Sequence, residues 1–213
     1  MGPDITYVHA LESAVSDEEL QMIAQTGGSI SSSAAVELLT ANGGLISVQR
    51  WLNVGLRPSL SVDNEARIPS GHFAGMRALL ASDKKVEVLR VQKAGGQPRP
   101  LNTRDVLSFA TLDGARATGL AERTGSLTVG KRADLIMVDL DSLTLIPAGD
   151  PVRSFVLRAQ PSDISHVMVD GRFVKIGGNM VGINWSQIKN LVNESTRHLM
   201  QAVRESGFDI RGG

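Results

Sequence analysis

The stretch Thr111-Leu-Asp-Gly-Ala-Arg-Ala-Thr-Gly-Leu120, continued by Gly125-Ser-Leu-Thr-Val-Gly-Lys-Arg-Ala-Asp-Leu-Ile136, marks the place where the chain changes its period. Before it, Thr103 opens a helical pattern from Arg104 to Thr118, closed by Gly119, because glycine takes left-handed backbone at little cost. After it, Leu135-Ile-Met-Val138, Phe155-Val-Leu157 and His166-Val-Met-Val169 are short β-prone runs. Asp170-Gly171 then reads as a hairpin turn leading into a strand from Arg172 to Ile176. Gly119, Gly125 and Gly130 are read as turn geometry, since no Gly-Lys-Ser/Thr follows a strand as a phosphate loop requires.

Upstream of that boundary, strand and helix alternate. Ile5 to His9 is β-prone, and Ser16-Asp-Glu-Glu19 is a capping box ahead of apolar Leu20, Ile23 and Ala24. Gly27 and Gly28 stop that helix before a second strand, Ser29 to Ser33. A helix around Val48 to Val54 ends at Gly55, a third strand covers Arg57 to Val62 with Asp63 at its C-terminal end, and Phe73 to Leu80 is helical. Such alternation predicts a parallel sheet. Val86 to Pro100, with its glycines, prolines and basic residues, reads as a loop. At the other end, Ile188, Leu191, Val192, Leu199 and Val203 recur at helical spacing, giving an amphipathic helix from Trp185 to Arg204 stopped by Gly207.

Composition bounds the function. The 213 residues are 42% hydrophobic and 21% charged, values of an ordinary folding domain rather than a disordered chain. Lys plus Arg and Asp plus Glu both total 22, so no global field favours nucleic acid or an anionic membrane surface. The Lys84-Lys85 pair and the basic run Lys93 to Arg99 are short, lack interleaved aromatics, and read as solvated. There is no cysteine, so any metal has to be held by carboxylates and by the four histidines. No run of 18 apolar residues and no basic-then-apolar leader occurs, and a cytoplasmic location is expected.

Taken with the fold pattern, the quoted boundary resembles the amidohydrolase superfamily, in which a helix enters a small β-sandwich. Tyr7-Val-His-Ala10 followed by Ser16-Asp-Glu-Glu-Leu20 resembles the fifth barrel strand of the cytosine deaminase and chlorohydrolase branch, where a histidine binds metal. Gly55-Leu-Arg-Pro-Ser-Leu-Ser-Val-Asp63 is similar to the eighth, whose terminal aspartate is metal-bound and shuttles a proton, and Val167 to Val174 is similar to the closing hairpin. The resemblance implies an α/β chain: residues 1–122 as the C-terminal half of a (β/α) TIM-type barrel, 123–183 as part of a β-sandwich, and 184–213 as a C-terminal helix and tail.

It also implies a chemistry. A divalent metal, zinc first among candidates, would lower the pKa of water towards roughly 7; His9 and Asp63 would hold it, and Asp63 would accept the proton and return it to the leaving group. The substrate is expected to be a small molecule carrying a carbon–nitrogen or related bond. No His-x-His pair occurs, so the site is incomplete, and an N-terminal half or self-association is expected to cover the open barrel face. Where relatives place a histidine on the sixth strand this chain has Ser32; Ser32, Glu37 and His72 are the candidates for contact with substrate. Plainer readings stand beside these: His9 as a strand-end histidine bonded to backbone, Asp63 as a turn cap, His72 as an exposed loop residue, Glu37 as a helix-start carboxylate. His166 and His198 read as structural or solvated, and Arg67 and Arg77 as surface charges. A non-catalytic interaction or scaffold protein that has lost its metal site is the alternative function.

Overall fold

The computed structural model describes residues 2–11, 14–40, 46, 48–64 and 71–208. Its first part is a parallel sheet of β1 (Thr6–Val8), β2 (Ser29–Ser32) and β3 (Ser59–Leu60), in that spatial order. Thr6, Tyr7 and Val8 pair with Ser29, Ile30 and Ser31, while Ser31 and Ser32 pair with Ser59 and Leu60. Helix α1 (Asp17–Gln25) links β1 to β2, and its capping box is formed: the Glu19 amide donates to Ser16 Oγ at 3.2 Å and the Ser16 amide to Glu19 Oε2 at 2.8 Å. α2 (Ala34–Glu37) and α3 (Val48–Asn53) link β2 to β3. Only Ser59–Leu60 of the expected Arg57–Val62 strand is paired, and Ser33 lies beyond the end of β2.

Two loop and strand expectations are corrected. Val86 to Pro100 is not a loop: helix α4 runs His72–Ala94, since between Gly75 and Gly95 every residue tolerates helix, and Gly95 and Gly96, at φ 73° and 91°, end it. What the composition had marked is only the short return after Ala94. The buried carboxylates of Asp83 and Glu87 hold that return by accepting from the amides of Leu101 (2.7 Å) and Arg99 (2.8 Å). Phe155-Val-Leu157 is not a strand but part of α7 (Pro151–Arg158); Asp150 caps it by accepting from the Arg153 amide at 3.0 Å, and Pro151 sits in its first turn, so local capping overrides three β-prone residues.

The long helix expected from Arg104 to Thr118 is two, α5 (Thr103–Phe109) and α6 (Leu112–Ala117), and Asn102 rather than Thr103 caps the first, accepting from the amides of Arg104 and Asp105. The break falls at Thr111, whose hydroxyl donates to the Leu107 carbonyl at 2.7 Å. Beyond it lies an antiparallel sheet of β4 (Leu135–Val138), β5 (Ile164–Val169), β6 (Arg172–Ile176) and β7 (Asn179–Met180). Asp170 and Gly171 turn β5 into β6 at φ 48° and 78°.

One core joins the parts. Ile30 of the central strand packs with Leu20 and Ile23 of α1, Trp51 of α3, and Met76 and Leu79 of α4, and the same cluster reaches Val106, Phe109 and Val156. Arg77 is not a surface charge: its guanidinium donates to the carbonyls of Val156 and Ala159 and lies over the Phe73 ring, tying α4 to α7. Arg67 lies outside the described residues. Lys84 and Lys85 are exposed, as expected. α8 (Trp185–Ser206) carries its apolar stripe but buries none of it. Among the described residues no helix is long and apolar enough to cross a membrane.

Candidate functional site

In a parallel sheet the C-terminal strand ends share one edge, and here that edge gathers polar side chains. β1 ends into His9 and β3 leads into Asp63, and both residues take left-handed backbone, at φ 57° and 61°. Such a conformation costs a residue with a Cβ roughly 1–2 kcal/mol. It persists where surrounding contacts enforce it, and such residues cluster at functional sites. The contacts are present: the His9 amide continues the ladder to the Ser31 carbonyl at 3.2 Å, and the Asp63 amide donates to Ser61 Oγ at 3.3 Å. Trp51 Nε1 donates to the carbonyl of Ala10, fixing the chain just after His9.

The His9 imidazole lies between two carboxylates. Its Nδ1 is 2.9 Å from Glu37 Oε1, and its Nε2 is 3.8 Å from Asp63 Oδ2. Glu37 is 2% exposed, whereas His9 and Asp63 keep 43% and 31% of their side chains open to solvent. The Glu37 carboxylate also accepts from the Ser33 amide and from the fully buried Ser32 hydroxyl, both at 2.8 Å, and Ser33 Oγ donates to Ser61 Oγ at 3.1 Å. β1, β2 and the chain after β3 are thus tied through side chains at one edge.

His9 and Asp63 offer a nitrogen and an oxygen that do not hydrogen-bond each other at 3.8 Å. Zinc bonds nitrogen and carboxylate oxygen at about 2.0–2.2 Å, so a single cation reaches both atoms, and the two residues fit the divalent metal that the sequence pattern implied. They do not complete a site: among the described residues no group of three metal-ligating side chains occurs. His72 is elsewhere. It opens α4 and lines a cavity of about 570 Å³ together with Phe73, Met76, Leu107, Phe155 and Met168. The residue is exposed, in keeping with the plainer reading of it, and partial burial lowers the imidazole from its usual range. His166 stacks edge-on against Phe173 and His198 is exposed on α8, matching their structural and solvated readings.

Sequence reasoning named His9, Ser32, Glu37 and Asp63 but missed Ser33 and Ser61, which tie Glu37 and Asp63 to the sheet edge. The only written signal was the density of serines, Ser29 to Ser33 and Ser59 to Ser61, and serine-rich runs mark loops as readily as sites.

A family model described as the amidohydrolase family matches residues 2–174. The chain is 27% identical over 197 residues to a 5-methylthioadenosine/S-adenosylhomocysteine deaminase of Syntrophobacter fumaroxidans, covering 92% of this chain and 43% of that one. Among solved structures it superposes on a zinc-bound adenosine deaminase from Xanthomonas campestris with a TM-score of 0.73 at 20% identity, covering 96% of this chain and 43% of the other. A zinc complex of atrazine chlorohydrolase from Arthrobacter aurescens TC1 gives a TM-score of 0.76 at 20% identity, with 92% and 41% covered. The chain therefore spans less than half the length of the proteins it matches.

Proposed function

The chain belongs to the amidohydrolase family, and from that premise we propose that it carries one part of the active site of a metal-dependent hydrolase acting on carbon–nitrogen or related non-peptide bonds of a small molecule. The observation that carries the reading is the convergence of His9 and Asp63, both in left-handed backbone at the ends of parallel strands, with Nε2 and Oδ2 3.8 Å apart. Residues 1–122 are assigned to the C-terminal half of a (β/α) barrel, 123–183 to a β-sandwich portion and 184–213 to a terminal helix and tail. The order β1-β2-β3 with helices between, and the antiparallel sheet after Gly125, support that partition.

Zinc is the metal of choice, as both superposed structures carry it. When bound, such a cation supplies Lewis acidity that brings the pKa of water towards about 7. His9 contributes a neutral imidazole nitrogen. Asp63, open to solvent and free at Oδ2 of any hydrogen bond from His9, takes the proton that attacking water must lose and passes it to the departing nitrogen. A catalytic zinc takes about three protein ligands; among the described residues only His9 and Asp63 converge, so we infer that a further polypeptide segment completes the site and that this chain alone is inactive.

The test is reconstitution with a family N-terminal barrel half that bears His-x-His, followed by zinc content and hydrolysis of adenosine-type and s-triazine substrates. Activity that disappears in His9→Ala and Asp63→Asn is the expected result. Activity indifferent to Asp63→Asn would overturn the assignment. One observation favours a second reading, a non-catalytic scaffold: the absence of a three-ligand group among the described residues. Inertness and lack of zinc in the reconstituted complex would select it.

A further inference from the structure

We propose that Glu37 is a positioning residue for His9 that holds its imidazole in the Nδ1–H tautomer, so that Nε2 keeps its lone pair and faces Asp63. The inference rests on the metal-facing role of His9 proposed above. It assigns Glu37 away from the substrate, because a carboxylate only 2% exposed has no surface left to offer one.

The geometry leaves Glu37 little freedom. Its Oε1 accepts from the Ser33 amide at 2.8 Å and its Oε2 from the buried Ser32 hydroxyl at 2.8 Å. Both of these partners donate, which suits an ionised carboxylate whose oxygens only accept, and the side that meets His9 is then an acceptor as well. The His9 Nδ1 at 2.9 Å from the same Oε1 must therefore carry the proton. A neutral imidazole has one N–H, so Nε2 is left as a bare nitrogen, the form that ligates a metal. Ser32, which stands where the resemblance places a histidine in relatives, acquires a role as the hydroxyl that anchors Oε2. A carboxylate behind a ligating histidine fixes both tautomer and ring orientation, and its removal typically costs about 10–100-fold in metal affinity.

The test is a two-bond ¹H–¹⁵N correlation of the histidine rings in the labelled chain, at a pH where imidazole is neutral. His9 is expected as the Nδ1–H tautomer, and Glu37→Leu is expected to return it to the Nε2–H form that an unpartnered imidazole favours. A wild-type His9 protonated on Nε2 would overturn the proposal without any variant, and so would a Glu37→Leu spectrum with the tautomer unchanged. A merely structural Glu37 would lower the melting temperature when replaced but would not move this signature. Zinc is then titrated into both proteins, with at least a tenfold weaker response expected for the variant. Failure of zinc to touch His9 in either protein, with the tautomer as described, counts against the metal-facing reading and leaves the positioning role standing.

Discussion

Replacing Asp113 by alanine should lower the stability of the fold by about 2–3 kcal/mol. This carboxylate, 1% exposed, accepts from Arg57 Nε at 3.1 Å, Ser108 Oγ at 2.6 Å and Arg116 Nη1 at 2.7 Å, joining α5 and α6 to the segment that leads into β3. Breaking a buried pair costs about 3–5 kcal/mol. Here the lower part of that range and somewhat less applies, because Arg57 and Arg116 are 41% and 56% exposed and are resolvated when released. With an m-value of about 2 kcal/mol per molar urea, the midpoint should fall by about 1–1.5 M at unchanged slope. Burial works to raise the Asp113 carboxyl, and the hydrogen bonds and charges of Arg57, Ser108 and Arg116 outweigh it, holding it below the usual carboxylate range. Its folded value thus lies below its unfolded one, so its contribution is whole above the ordinary carboxylate range and is lost as pH falls through the folded value. The alanine variant should accordingly show a shallower acid loss of stability than the parent chain. A midpoint shift under about 0.2 M urea, equivalent to less than about 0.5 kcal/mol, would refute this reasoning.

Other outcomes follow from the same packing. Gly125→Ala should destabilise by about 2–3 kcal/mol, since an added Cβ would lie 2.6 Å from the Ala115 Cβ at φ +83°, while Gly130→Ala, with open space at φ +94°, should cost only about 1–2 kcal/mol of backbone strain; paired thermal melts compare them. Leu79→Ala empties a fully buried site on α4 and should cost about 2–5 kcal/mol by urea unfolding. Trp51→Phe removes the only side-chain donor to the Ala10 carbonyl among the described residues and should cost about 1–3 kcal/mol; the amide resonances around His9 should broaden with it, and sharp, unmoved resonances would count against that contact as a brace.

Much of this was legible because the local chemistry agreed with the global fold. The Ser16–Glu19 capping box, the Asp170-Gly171 turn and the Gly207 stop are short-range devices whose meaning does not depend on what packs around them. The regions that misled are those where distant contacts decide. The second half of α4 carries polar residues whose task is visible only once the 95–102 return lies against Asp83 and Glu87. Phe155-Val-Leu157 has strand composition, yet a cap at Asp150 and a guanidinium from α4 at its carbonyl end make it helix. At the candidate site the residue types pointed to His9 and Asp63, but no spacing rule says that Glu37 would turn back along its own helix to meet an imidazole from another strand.

The most direct examination of the account is a zinc titration of the isotopically labelled chain, following every histidine ring and the carboxylate carbons. The account predicts that the His9 Nε2 and Asp63 carboxylate signals move together along one isotherm, while those of His72, His166 and His198 stay still. Movement that starts at any of those three histidines, or a His9 shift unaccompanied by Asp63, would contradict it.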